Sequence, residues 1–169
     1  MKIRILSLCL VLLCLSLTAC DPGTYQFSST ELSDSVVCVE LIDYSCPDRK
    51  AFSSWISDHS DELLPFDVSA ATDLETLDEA RMPDFFTNLS KVQILHEYYA
   101  FNAPKGICLR LTYGNGDFLI LSCDYENNAH SGYVGKYSED GEVIEFIGSF
   151  ADLSDFKTLV EAFFVTDLG

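Results

Sequence analysis

Along this chain the apolar residues fall into runs of different period, and each period names an element. The run Val36-Val37-Cys38-Val39-Glu40-Leu41-Ile42-Asp43-Tyr44 is dense in β-branched and aromatic residues, which predicts a strand. Pro47 opens a helix with Phe52, Trp55 and Ile56 on one face, and Ser45 is its cap. Residues 60–80 are polar and acidic and read as loop with a short extended piece. Pro83 suits the first turn of a second helix, in which Phe85, Phe86, Leu89 and Val92 repeat at steps of three and four. The period then becomes two, with strands over 93–101, 106–113 and 118–125. Two more strands, 132–137 and 142–150, flank the turn former Asp140-Gly141. A last helix starts at the N-cap Asp152 and shows Leu153, Phe156, Leu159, Val160, Phe163 and Phe164 on one face. The pattern predicts one α+β domain: an antiparallel meander sheet of five to six strands, with two to three helices packed on one face.

Asn115-Gly116 between apolar runs is a strong hairpin signal. With these two as the loop, Tyr113 faces Phe118 and Cys108 faces Cys123. Facing residues lie close enough for a disulfide, so the register allows a Cys108–Cys123 bridge without requiring one. Beyond position 20 the cysteines are Cys38, Cys46, Cys108 and Cys123, which allow three pairings or four buried thiols.

The N-terminus carries a different signal. Lys2 and Arg4 precede an apolar run from Ile5 to Leu17, which is too short for a permanent bilayer span. It ends in Leu17-Thr18-Ala19-Cys20, which resembles the lipobox of bacterial lipoproteins. The resemblance covers residues 1–20 only. It implies that residues 1–19 are a signal peptide, that Cys20 is lipidated after export, and that the chain stays anchored on the extracytoplasmic face of the cell membrane. Residues 21–34 are rich in Ser, Thr, Pro and Gly and hold no apolar period, so 20–34 reads as a flexible lipid-anchored tether of roughly 20 Å. The acidic domain then runs over 35–169. It resembles small bacterial lipoproteins, and no characterised family is named for it.

Charge narrows the partners. The chain carries ten basic and 27 acidic residues, and loss of Lys2 and Arg4 with the leader takes its net charge from −17 to −19. Such a field repels nucleic acid and anionic headgroups and attracts a cationic protein or peptide. An acidic surface also simply keeps an exported protein soluble.

Candidate chemistry is sparse. No serine-hydrolase elbow, zincin pair, phosphate loop or dinucleotide fingerprint occurs, and no cofactor is implied. Asp124, Glu126 and Asn128 open like a calcium loop, but Ala129 and Gly135 stand where such a loop needs Gly and Glu, so no metal site is assigned. His59, His96 and His130 have no spacing that selects a catalytic set. Tyrosines are frequent strand residues, and on an open sheet face they also make binding platforms; Tyr98, Tyr113 and Tyr133 are the candidates. The sequence therefore points to a non-enzymatic, membrane-anchored binding lipoprotein. The alternatives are a cell-envelope hydrolase and a structural or assembly component of the envelope.

Overall fold

The computed structural model describes residues 23–45, 65–96, 104–123 and 132–164. Its centre is a pair of strands that are apolar on both sides. Strand β5 (Gly106–Tyr113) turns Leu109 and Leu111 to one face and Cys108 to the other. Strand β6 (Phe118–Cys123) turns Leu119 and Leu121 one way and Phe118 and Ile120 the other. All of these are buried.

Around this pair lie β1 (Thr24–Tyr25), β2 (Val36–Tyr44), β3 (Ala71–Thr76), β4 (Ile94–Leu95), β7 (Gly132–Tyr137) and β8 (Val143–Phe150). The order across the sheet is β1-β4-β8-β7-β6-β5-β2-β3, and every neighbouring pair is antiparallel. The domain is thus α+β, with an open sheet of eight strands and three helices among the described residues. The predicted meander is present as β5 to β8. The strand count exceeds the expectation because β1 was not anticipated and the short extended piece expected within 60–80 is a full strand of the sheet, β3. β1 has two residues, too few to show a period. β3 is Ala-Thr-Asp-Leu-Glu-Thr, an edge strand with little apolar character that is held by its pairing with β2.

Helices α1 (Ser29–Ser35), α2 (Met82–Leu89) and α3 (Leu153–Phe163) contribute to one core with the first face of the sheet. Leu32 comes from α1, Phe85, Phe86 and Leu89 from α2, and Phe156, Leu159, Val160 and Phe163 from α3. Asp152 caps α3 as predicted, accepting from the Ser154 backbone N–H at 2.8 Å. The other face carries a second core of Ile42, Tyr44, Phe66, Cys108, Phe118, Ile120, Tyr133 and Tyr137. The helix expected to open at Pro47 lies outside the described residues.

Two expectations are corrected. Residues 23–34 are not a flexible tether: β1 pairs with β4, Phe27 is buried, and α1 docks on α2 through Leu32. The apolar anchors Phe27 and Leu32 are too few to make a period, although Ser28-x-x-Glu31 has the spacing of a helix start. Ser28 does cap α1, its hydroxyl accepting from the Glu31 N–H at 3.3 Å.

The β5–β6 loop has three residues, not two. The Tyr113 N–H donates to Asp117 O at 2.8 Å, and Gly116 takes φ +91°. Cys108 therefore pairs with Ser122, not Cys123, and the register argument for a Cys108–Cys123 bridge does not hold. Cys108 is a free thiol. The β7–β8 turn has the same form, with Ser138 N–H to Glu142 O at 2.8 Å and Gly141 at φ +85°. A glycine in the left-handed region at the third loop position is the usual three-residue solution.

Gly141 also joins the turn to the second core. The Phe66 N–H donates to its carbonyl at 2.8 Å, and a Cβ on Gly141 would lie 2.0 Å from Phe66 O. The atoms nearest to a Cβ on Gly116 belong to the side chain of Glu139, at 3.1 Å and beyond, and that side chain can move aside. Gly141→Ala is therefore expected to cost about 2–3 kcal/mol of unfolding free energy, and Gly116→Ala about 1 kcal/mol. Urea denaturation of the two variants checks this ranking, and equal losses would refute it.

Candidate functional site

At the hairpin end of the sheet, on the helix-bearing face, two tyrosines and a lysine come together. Tyr113 ends β5 at the margin of the first core. Lys136 of β7 places its ammonium over the Tyr113 ring, 4.9 Å from the centroid. Its cross-strand neighbour is Glu145 of β8. Tyr25, brought in by β1, stands edge-on to buried Phe27 at 5.1 Å and remains 41% exposed. Burial pushes the Tyr113 hydroxyl up to about 12, and Tyr25, Asp117 and Glu145 add to the shift. Tyr25 is also raised, by burial first and then by Glu31 and Glu145. Both hydroxyls thus sit in a negative field.

The predicted tyrosine face does not form as a single surface. Tyr113 borders the first core, whereas Tyr133 is buried in the second, on the opposite side of the sheet. The three-residue hairpin loop is the cause, because a shift of one residue exchanges faces. Tyr98 lies outside the described residues. Tyr133 shares a hydrogen bond with the Tyr137 hydroxyl and packs on Phe146. Phe66 closes the same cluster, stacking on Tyr44 at 4.2 Å and meeting Phe118 edge-on. These rings are core. Burial pushes Tyr133 up to about 12 and raises Tyr137 as well.

Two thiols lie in the described part, Cys38 and Cys108. Cys108 is fully buried, with Sγ 3.4 Å from Gly106 O, and burial raises its pKa. Cys38, half-buried, is raised by burial first and then by the Glu40 carboxylate. Cys20 and the side chain of Cys123 lie outside the described residues.

Each basic residue of the described part has a partner, some within the fold and some at its surface. Arg110, half-buried on β5, reaches Glu40 of β2 at 2.9 Å and Asp73 of β3 at 2.8 Å, tying three strands together. Arg81 donates to the carbonyls of Phe163 at 2.7 Å and Ala162 at 3.0 Å. It also lies over the Phe163 ring at 5.3 Å, so it closes the end of α3. Lys157 pairs with Glu161 at 3.6 Å, and Lys91 approaches Asn88 at 3.4 Å. With Lys136 on Tyr113, and Lys105 also in contact with a partner, every basic residue of the described part is taken.

Other chemistry is limited. His96 places Nδ1 2.8 Å from Ile147 O, so that nitrogen is the donor. His59, His130 and the Asp124–Asn128 loop lie outside the described residues. Among the described residues no three His, Cys, Asp or Glu side chains gather to hold a metal ion. A cavity of about 220 Å³ between α2 and α3 is lined by Val92, Leu159 and Phe163 together with Asn88, Lys91 and Asp155. That is below the usual size of a small-molecule site. Among the described residues no helix is long and apolar enough to cross a membrane.

Sequence reasoning missed Tyr25 and Lys136. Tyr25 stands in a segment without apolar period, and Lys136 is an ordinary polar position in a strand. No family model, curated protein or solved structure matches the chain.

The buried tyrosines set an alkaline limit. A hydroxyl whose pKa rises on folding contributes stability that is complete below its unfolded value of 10.0 and lost as pH climbs through about 12. Tyr133→Phe is expected to flatten the fall in unfolding free energy between these pH values. Urea midpoints at several pH values read this, and parallel curves for variant and parent would remove Tyr133 from the account.

Proposed function

We propose that this chain is a lipid-anchored, extracytoplasmic binding protein that captures a basic protein or peptide and catalyses no reaction. The observation that carries the reading is the state of its charges. The chain has a net charge of −17, and each basic residue of the described part already has a partner within the chain. Acidic residues outnumber basic ones by 27 to ten, so the domain carries an excess of negative charge that an incoming cationic chain offsets. Long-range attraction of this kind speeds encounter and fixes orientation.

The lipobox-like Leu17-Thr18-Ala19-Cys20 supports the location. Two acyl chains on Cys20 suffice for stable attachment, which holds the domain at the membrane surface. No nucleic acid fits this field, because phosphates are repelled.

Two experiments test the reading. Full-length protein in detergent micelles is titrated calorimetrically with a lysine-rich peptide, with a serine-rich peptide of equal length as control. Binding of the lysine peptide alone is expected, weakening at least roughly tenfold as salt rises from about 0.05 M to about 0.5 M. Equal binding of both peptides, or indifference to salt, contradicts charge-driven capture. Separately, Cys20→Ala is expected to leave the membrane fraction or to persist as uncleaved precursor. Fractionation and mass identical to the parent would exclude lipidation.

A further inference from the structure

The cluster at the hairpin end has the chemistry of a seat for one cationic side chain. Tyr113 presents a ring face, and a cation already lies against it: the Lys136 ammonium, 4.9 Å from the centroid. Tyr25 is close by and 41% exposed. Glu145 stands opposite Lys136 across the β7–β8 ladder, and Asp117 closes the β5–β6 hairpin next to Tyr113. Glu31 of α1 adds to the negative field at Tyr25. Two carboxylates, those of Asp117 and Glu145, therefore neighbour the Tyr113 ring and the Lys136 ammonium along the strands. Among the described residues, no ion pair joins Lys136 to any of these acids, and its ammonium lies on the ring instead.

We propose that Tyr113, flanked by Asp117 and Glu145 and joined by the exposed ring of Tyr25, binds an arginine side chain of the basic partner, and that Lys136 occupies this seat when the partner is absent. The inference rests on the capture of a cationic partner argued above and names the place where the partner is read. A guanidinium is planar and weakly hydrated, so it stacks on a tyrosine face better than an ammonium does. Its remaining N–H groups donate to carboxylates beside the ring. Lys136 sits on a long flexible stem and can swing to solvent, which lets arginine take its place. An arginine-rich partner is thereby favoured over a lysine-rich one of equal charge.

The test uses the full chain in detergent micelles, titrated with octa-arginine and with octa-lysine. The parent is expected to prefer octa-arginine. Lys136→Met frees the ring and should tighten octa-arginine binding about three- to tenfold. Lys157→Met removes the same charge elsewhere on the surface and serves as the control, with a smaller effect. Tyr113→Leu and Tyr25→Leu should each abolish the arginine preference while leaving salt-dependent binding in place. If Tyr113→Leu fails to fold, the comparison of Lys136→Met with Lys157→Met decides alone. Equal gains from those two variants, with no preference between the peptides, overturn the seat and leave charge-driven capture standing. Absence of binding by both peptides overturns both.

Discussion

Burial of β5 and β6 on both faces is the constraint from which the rest of this structure follows. An antiparallel sheet commonly leaves one face to water. Here Leu109, Leu111, Leu119 and Leu121 need cover on one side, while Cys108, Phe118 and Ile120 need it on the other. The helices supply the first. Phe66, tied to the β7–β8 turn through Gly141, contributes to the second. With both faces occupied at the centre, polar chemistry is displaced to the margins. Arg110 finds its acids towards the β3 edge, and Tyr113 and Lys136 meet at the hairpin end. Any surface for a partner is therefore made by strand ends and turns, not by the middle of the sheet.

The same economy governs charge. Few cations are available, and those in the described part stabilise the fold: Arg81 closes α3, and Arg110 clamps β2 and β3 to β5. Each such contact strengthens the domain, and Arg110 directs its charge to two acids within the fold. Self-repulsion among the remaining acids works against compactness. A strongly buried double core offsets that repulsion, and so allows the surface to stay negative.

Much of this architecture was legible because period survives in the sequence. The stripes of α2 and α3, the cap at Asp152 and the meander strands all follow from spacing. What was illegible turned on small numbers. α1 has a single buried residue, Leu32, and β1 has two residues, so neither produces a pattern. The dipeptide Asn115-Gly116 marks a turn equally well in a loop of two or three residues. That single residue moved Cys108 from Cys123 to Ser122 and put Tyr113 on the face opposite Tyr133. The Tyr25–Lys136–Tyr113 grouping depends on both the unread N-terminal strand and the corrected register, so no local motif announces it.

The early start of ordered structure changes how the protein would stand on a lipid surface. Gly23 already accepts a hydrogen bond from His96, so with acyl chains on Cys20 only three peptide units separate the anchor from the sheet. That length reaches at most about 11 Å. The domain would then be mounted rather than leashed: its β1 margin would be held near the headgroups, its swing confined, and a visitor reaching Tyr25 would do so alongside the bilayer.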